Sequence, residues 1–494
     1  MDAPVIIVGA GPVGLVLAAE LRLGGVEVLV LDRLEQPSGE SRSLGFTARA
    51  VELFDQRGLL PRFGELGISA SGHFGGIPLD YSVLADAHFG ARSVPQARTE
   101  QVVGGWAAEL GADVRRGWTV VGVHDDGDSV RVEAETPDGP RLLRCRYLVG
   151  CDGGHSFVRR AAGFEFPGTP STREMYIADV AGCGLRPRPI GERVPAGMVM
   201  SVPIGGGVDR IVLCEHGVRP RRRTSPPQFA ELADAWERLT GEDLRGGTAK
   251  WISSFGDATR QATEYRKGRV LLAGDAAHTH LPVGGQGLSV GVQDAMNLGW
   301  KLAAVVSGTA GSDLLDSYHC ERHPVGARLL LNTLAQGVLY LSGAEGEPLR
   351  EVLADLMELP EVRRHLAGMV SGLDVRYDVG PGTHPLLGAR IPKRDLLGPS
   401  GPTTTIAGLS TARGVLLDLA DDPELRRAAE PWADRVDVVT AAPHRLPEGC
   451  PLARTSAVLI RPDGHVAWAA PGCGPLPEAL ARWFGTKRLA TARQ

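Results

Sequence analysis

The 494-residue sequence predicts an α/β fold assembled from more than one unit. Three observations carry this expectation. A short apolar run at residues 5–8 passes through glycines into an apolar stretch and then a second run at 26–31, which is the pattern of a βαβ unit. Between about 165 and 260 the pattern becomes strand alternation, as at 197–202 and 210–214, with one helical segment near 227–240. After 385 it changes again, behind a boundary marked by Pro385, Pro392, Pro399 and Pro402.

In chain order, the first unit ends its second strand at Asp32 and continues with a helix over 98–112. Short strands fill 114–150, separated by the turn signals Asp125-Asp126-Gly127 and Pro137-Asp138-Gly139, an excursion that returns to the main sheet at 147–150. The run RVLLAGD at 269–275 predicts another buried strand of that sheet, followed by helices over 291–306 and 314–330. In the last region ARGVLLDLA, RVDVVTA and TSAVLIRPDGHVAWAA predict strands, with helices near 423–432 and 477–484. The expected division is 1–165 with 266–384 as one discontinuous domain with connecting helices, 166–265 as a sheet domain, and 385–494 as a small α/β domain.

Composition removes several classes of function. Lys and Arg number 53 against 58 Asp and Glu, a formal charge of -5 without a broad basic field, so no nucleic-acid partner is expected. Arg219, Arg221, Arg222 and Arg223 lie among prolines and read as a solvated loop, and Asp179 reads as a surface acid. The seven cysteines form no Cys-x-x-Cys pair, which argues against structural zinc and for reduced thiols in a cytoplasmic protein. The opening residues lack a basic leader, and the uncharged stretch 329–344 is too short and too polar to span a bilayer, so no membrane partner is expected. His278 and His280 have only Asp275 as a nearby acid, so no metal site is expected.

The motifs are more specific. Gly9-Ala10-Gly11-Pro12-Val13-Gly14 follows a strand and opens a helix, with Asp32 about twenty residues on. Such a turn admits a pyrophosphate to the free N–H groups of the helix, while the carboxylate takes ribose hydroxyls, so this is a Rossmann-like dinucleotide site. Arg33 is either a surface charge or a lid over the adenine, and a nicotinamide and a flavin dinucleotide both satisfy these residues. A second motif, Cys151-Asp152-Gly153-Gly154-His155-Ser156, sits where a strand reverses. A third, Gly274-Asp275, leads through Pro282 to Gly285, Gly287 and Leu288 at a helix start.

Taken in order and spacing, these motifs resemble the class A flavoprotein aromatic hydroxylases, the para-hydroxybenzoate and phenol hydroxylase superfamily. The stretches 41–47, 55–58 and His73-Phe74-Gly75-Gly76 are most similar to the actinobacterial hydroxylases of angucycline and anthracycline polyketides. The resemblance implies a Rossmann-like FAD-binding domain, an inserted β-rich substrate domain and a C-terminal thioredoxin-like domain, here without its Cys-x-x-Cys. It implies FAD on Gly9, Gly11, Pro12, Val13 and Gly14, with Asp32 at the ribose and Arg42 and Gln101 at the phosphate and ribityl region. Asp152 would serve FAD and NADPH, supported by Ser156 and Arg159. Asp275 would hold a ribityl hydroxyl, and Pro282, Gly285, Gly287 and Leu288 would line the isoalloxazine. Two departures stand out: Leu288-Ser289 replaces Met-Asn, and Val103-Gly104 replaces Leu-Glu.

The reaction so implied is NADPH-dependent hydroxylation of a polycyclic aromatic polyketide by O2 through a C4a-hydroperoxyflavin, in antibiotic biosynthesis, with NADH as an alternative donor. Such chemistry rests on the cofactor, and no catalytic acid, base or nucleophile is assigned. Phe74, Met198, Met200 and Phe255 are candidate pocket walls, His73 a candidate substrate contact, and Arg42 a candidate guide for a mobile flavin. Baeyer–Villiger oxidation of a related quinone, a non-catalytic flavin-binding protein and a nicotinamide-only dehydrogenase are the competing readings. The C-terminal domain is expected to serve structure or association, a homodimer included.

Overall fold

The computed structural model describes every residue except 85–89, 222, 224 and 487–494, so the expectation for Arg222 falls outside the described residues. Strand β1 (Val5–Val8) feeds helix α1 (Pro12–Leu23), and β2 (Val28–Asp32) lies parallel to β1 with Val5 opposite Val28. Every residue of β1 is buried, as a parallel strand covered on both faces requires. Pro12 occupies the first turn of α1, where its missing N–H has no intrahelical role. Helix α2 (Ala48–Gln56), the hairpin β3 (Ser71–Phe74) and β4 (Ile77–Asp80), and α3 (Gln96–Glu109) follow, before β5 (Asp113–Arg116) pairs with β2. The excursion is an antiparallel sheet of β6 (Thr119–Asp125), β7 (Val130–Glu135) and β8 (Arg141–Cys145). The chain then returns as β9 (Tyr147–Gly150), parallel to β1 on the side away from β2, and continues into α4 (Phe157–Ala161).

A five-stranded antiparallel sheet comes next, from β10 (Glu174–Ala181), β11 (Arg188–Val194), β12 (Gly197–Gly205), β13 (Val208–Glu215) and β14 (Thr248–Gly256), in the order β11-β12-β13-β10-β14. Helix α5 (Phe229–Thr240) covers one face. Because side chains alternate along a strand, the two faces have different partners. Tyr176, Ala178, Val180, Ile211 and Leu213 pack with Leu232 and Trp236 of α5. Met175, Ile177, Met198, Val212 and Cys214 point the other way and pack with Leu281, Val283, Tyr340 and Leu341.

Strand β15 (Val270–Leu272) rejoins the main sheet beside β9, and α6 (Gly287–Val306) and α7 (Asp316–Leu341) follow. Both helices are longer than the sequence suggests. The first begins inside the glycine-rich turn, and the second runs through Pro324 and buries Asn332 and Gln336, two of the polar residues that argue against a membrane span at 329–344. After α8 (Glu347–Leu356) and α9 (Pro360–Ser371), the last region forms a sheet of β16 (Gly414–Asp418), β17 (Val436–Thr440), β18 (Ala457–Ile460) and β19 (Val466–Ala470), flanked by α10 (Pro423–Ala429) and α11 (Leu476–Phe484). Its order is β17-β16-β18-β19, parallel only between β16 and β17. Among the described residues no helix is long and apolar enough to cross a membrane, and all seven cysteines are free.

Two sequence expectations need correction. Arg223 is not a solvated loop residue: its guanidinium binds Glu174, Glu231 and the Tyr176 hydroxyl and is 18% exposed, because two acids and a phenol converge there from different elements. Asp179 is not a surface acid either. It accepts two hydrogen bonds, at 2.6 and 2.7 Å, from Arg210 directly opposite on β13, and that guanidinium is 1% exposed and also donates to the Ser41 carbonyl.

The last region is attached through buried charge. Arg461 donates to both oxygens of Glu321, at 2.6 and 2.8 Å, and to Asp463, while Lys301 donates to Glu321 at 2.8 Å. Burial opposes ionisation of Glu321, but Arg461 and Lys301 outweigh it and hold the carboxyl down at about 2. Arg57 reinforces the contact by binding Glu20 and the carbonyls of Leu409 and Pro462. Removing one partner of such a cluster leaves charge buried without compensation. Arg461→Ala is therefore expected to cost about 3–5 kcal/mol of unfolding free energy. Urea titration followed by tryptophan fluorescence measures this, and a loss below about 1 kcal/mol would show that the cluster is not holding the region in place.

Candidate active site

The first motif lies at the carboxyl edge of β1. Gly9 has φ +106, and a Cβ there would stand 2.4 Å from the Cys151 carbonyl oxygen, while one on Gly14 would stand 2.0 Å from the Gly9 oxygen. Only glycine permits this approach of turn, helix and β9. Asp32 accepts hydrogen bonds from the backbone N–H of Ala10 at 2.6 Å and Leu34 at 2.8 Å, so the carboxylate pins the turn to the end of β2. Arg116 stands 3.9 Å from Asp32 and 3.2 Å from Glu100. Neither Arg116 nor Glu100 was singled out from sequence, because the long separation between β5, α3 and Asp32 leaves no local signal. Arg33 is exposed, Arg42 is 71% exposed with Glu40 at 4.0 Å, and Gln101 is exposed and accepts a hydrogen bond from Arg98.

Asp152 has a local structural task. Its carboxylate accepts the backbone N–H groups of Phe157 at 2.6 Å and Val158 at 3.0 Å and the Ser156 hydroxyl, satisfying the first turn of α4. Ser156 caps the same helix through the Arg159 N–H. Arg159 then joins two motifs, donating to the carbonyls of Gly154 at 2.8 Å and Ala276 at 2.9 Å, with its guanidinium 3.7 Å from the Phe166 ring centroid.

The third motif is held from behind by a residue the sequence reading missed. Asp294, fully buried on α6, accepts the Gly274 N–H at 3.0 Å, faces His278 Nε2 at 2.8 Å, and accepts from Arg322 Nε at 2.7 Å. Burial opposes its ionisation, but Arg322 and His278 keep the carboxyl below its ordinary range. Asp294, Asn297 and Lys301 recur at helical spacing within a largely apolar helix, which is the signal that could have exposed them. Asp275 itself is exposed, as are Pro282 and Gly285; Gly287 and Leu288 are half-buried. Ser289, one of the two departures, is buried and accepts the Thr47 N–H at 3.0 Å, tying the 42–47 segment to α6. At the other departure a Cβ on Gly104 would meet Leu15 at 3.6 Å, ordinary contact distance, so packing does not demand glycine there.

The residues present fit a dinucleotide. A Cβ on Gly11, Gly153 or Gly285, one glycine from each motif, would enter open space, while the flanking turns are tightly packed. Helices α1 and α6 both start at these turns, and the first-turn N–H groups of a helix have no intrahelical carbonyl partner. Beside them lies the second face of the five-stranded sheet, with Met200, Trp251 and Phe255 half-buried around its apolar core. Of the four pocket walls expected from sequence, Met198, Met200 and Phe255 share this face. Phe74 does not: it is buried with Ile77, Leu79 and Leu339, because the β3–β4 hairpin packs its apolar side onto α7 and α9.

His73 stacks on Tyr340 with ring centroids 5.6 Å apart and accepts the Gly76 N–H on Nδ1. Burial, aided by Arg350, pushes its imidazole down to about 4, so it is neutral at pH 7. In the unfolded chain it titrates near 6.5. Acidification from about 6.5 toward 4 therefore protonates the unfolded state first, and the stability this residue contributes above that window is lost within it. His73→Gln is expected to lose less unfolding free energy than the wild type between pH 7 and pH 4.5. Urea midpoints at the two pH values test this, and equal losses would remove the assignment.

The chain matches two family models: FAD binding domain over residues 2–333, and aromatic-ring hydroxylase, C-terminal, over 384–486. It is 44% identical over 501 aligned residues to 12-dehydrotetracycline 5-monooxygenase/anhydrotetracycline 6-monooxygenase of Streptomyces rimosus subsp. rimosus, covering 98% of this chain and 99% of that protein. It is 42% identical over 488 residues to rifampicin monooxygenase of Streptomyces venezuelae, covering 97% and 98%. Among solved structures it is similar to CabE, an aromatic hydroxylase from angucycline biosynthesis, with 61% identity, a TM-score of 0.97, and coverage of 99% and 100%. The matched models, the relatives and the three converging motifs place the chain in the class A FAD-dependent aromatic hydroxylases, and it is a flavin-dependent monooxygenase.

Proposed function

We propose that the enzyme hydroxylates a polycyclic aromatic polyketide in antibiotic biosynthesis, using NADPH or NADH and O2. The observation that carries this reading is the rim of half-buried Met200, Trp251 and Phe255, which keeps accessible apolar area beside the packed face of Met175, Ile177, Met198 and Val212 and next to Leu281 and Val283 of the flavin motif. A flat, multi-ring substrate buries its own apolar area against such a surface, and each Å² removed from water contributes about 25 cal/mol. The tetracycline, rifampicin and angucycline chemistry named for the relatives supports the same class.

Bound FAD would supply the oxygen chemistry. The protein's share is to hold and shield. Gly9, Gly11, Pro12, Val13 and Gly14 form the cradle for a pyrophosphate, Asp32 and Arg116 stand at the ribose end, and the exposed Arg42 and Gln101 flank the approach. Asp275 offers a carboxylate to a ribityl hydroxyl, while Gly285, Gly287 and Leu288 present the N-terminus of α6, whose dipole favours negative charge on the ring. Asp152 contributes by shaping its turn, and Arg33 stays at the adenine end. A phenolic substrate carries its own activation, so no side chain is needed as an obligatory base.

In this reading residues 1–165 and 266–384 form the flavin domain, 166–265 the substrate domain, and 385–494 a thioredoxin-like domain without Cys-x-x-Cys. The mixed sheet β17-β16-β18-β19 with flanking helices supports the last assignment. Cys450 and Cys473 are far from a redox pair in sequence, which fits a structural or dimer-forming role for that domain. Seven free thiols suit a cytoplasmic location.

Asp275→Ala should weaken FAD binding by about 1.5–3 kcal/mol, roughly 10- to 150-fold in Kd, as expected for losing a hydrogen bond to a charged acceptor. Glu351→Ala, an exposed acid on α8, should change it less than twofold; flavin fluorescence titration of the apoprotein compares them, and equal constants would reject the role of Asp275. The activity itself is tested with tetracyclic polyketide phenols, NADPH and 18O2. The expected product carries one labelled oxygen on an aromatic carbon with the skeleton intact. A labelled lactone would establish Baeyer–Villiger oxidation instead, and NADPH consumption indifferent to every substrate would overturn the reading.

A further inference from the structure

The glycine-rich flavin turn and the His73-Phe74-Gly75-Gly76 turn are joined by a chain of buried amides that nothing in the dinucleotide motifs requires. The Gly75 N–H donates to Gln336 Oε1 at 3.0 Å, and Gln336 Nε2 donates to Asn332 Oδ1 at 2.8 Å. Asn332 Nδ2 donates to Gln286 Oε1 at 2.9 Å, and Gln286 Nε2 donates to the Val283 carbonyl at 3.3 Å. Gln286, Asn332 and Gln336 are 3%, 3% and 0% exposed. The backbone groups at the two ends have fixed identities, one a donor and one an acceptor. A single orientation of the three side-chain amides therefore satisfies every bond, and reversing one of them sets like groups face to face.

Both ends are clamped. Gly75 has φ +58, and a Cβ there would stand 2.7 Å from Leu339, so its N–H is held against α7. Arg350 binds the carbonyls of Gly75 and Gly76, and Gly76 donates to His73, whose ring lies on Tyr340. At the other end Gln286 sits between Gly285 and Gly287, the residues proposed above to meet the isoalloxazine. Strand β3 also lies next to the Val283–Gly285 turn.

We infer that Asn332 and Gln336 are positioning residues: through this one-way amide chain they fix the flavin turn relative to the 73–76 turn, and so hold it against the Tyr340 side of the apolar face proposed to take the substrate. This rests on the proposed hydroxylation for its consequence in catalysis, but not for its structural part. Reactions of this kind lose rate or waste reductant when bound groups sit about 1 Å from the productive geometry.

The experiment uses full-length Gln336→Met and Asn332→Leu, with Thr333→Val as the control, since among the described residues the Thr333 hydroxyl bonds only to carbonyls of its own helix. Hydrogen–deuterium exchange of the FAD-free proteins comes first. Gln336→Met is expected to raise exchange at 282–288 at least threefold although the Gln336 side chain bonds to Gly75 and Asn332 and not to that turn, and Asn332→Leu to raise it at both 282–288 and 71–80. The double variant should add little to either single one, and Thr333→Val should match the wild type. With FAD bound, the flavin absorption band should shift in both variants, and product formed per NADPH should fall about threefold or more while NADPH oxidation continues. Exchange at 282–288 in Gln336→Met equal to that in Thr333→Val would overturn the inference. If the wild type fails to hydroxylate any phenol, the exchange and absorption measurements still decide the amide chain on their own.

Discussion

The buried carboxylate of Asp294 is the contact on which the rest of the site depends. It accepts from the Gly274 backbone, meets His278, and pairs with Arg322, which itself reaches the Tyr377 hydroxyl. A strand end, two long helices and the segment leading to the last region are thus drawn to one charge. Such a group has no stable alternative in an apolar core: moved out of this arrangement, it would lose its compensating cation and its hydrogen bonds together. The position of Asp275, and of the turn that follows it, is a consequence.

Around that anchor the three motifs are tied to one another before any cofactor contact is considered. Asp32 holds the Gly9–Gly14 turn, Asp152 and Ser156 build the start of α4, and Arg159 links the second motif to the third. The open space left above Gly11, Gly153 and Gly285 is therefore bounded by turns that Asp32, Asp152 and Ser156 already hold in place. Preorganisation of this kind means that binding need not supply the energy to assemble the site.

The five-stranded sheet and the last region meet this frame by opposite physics. The sheet contributes through alternation: one face packs on α5, and the other supplies methionines and aromatic rings beside the flavin turn. Arg210 and Asp179 interrupt that apolar face with a closed ion pair which, through Ser41, also fixes the segment bearing Arg42. The last region is attached instead through Arg461, Glu321, Lys301 and Asp463, charges that are acceptable in the interior only because they neutralise one another.

By itself the sequence determined what is local. The βαβ unit, the three motifs with their glycines and acids, the strand alternation of the middle region and the texture change near 385 each depend on residues close along the chain, where periodicity and turn chemistry act directly. The resemblance built on those motifs carried the cofactor and reaction class as well. What lay beyond reach was decided by partners far apart in sequence. Arg116 beside Asp32, Arg210 against Asp179, Arg322 on Asp294, and the amides of Asn332 and Gln336 acquire meaning only once separate elements have packed. Phe74 joined a different cluster from Met198 for the same reason. A side chain's type states what it can bond to, but in a buried site the packing of whole elements selects which partner is within 3 Å, and with it the charge, orientation and function the residue takes.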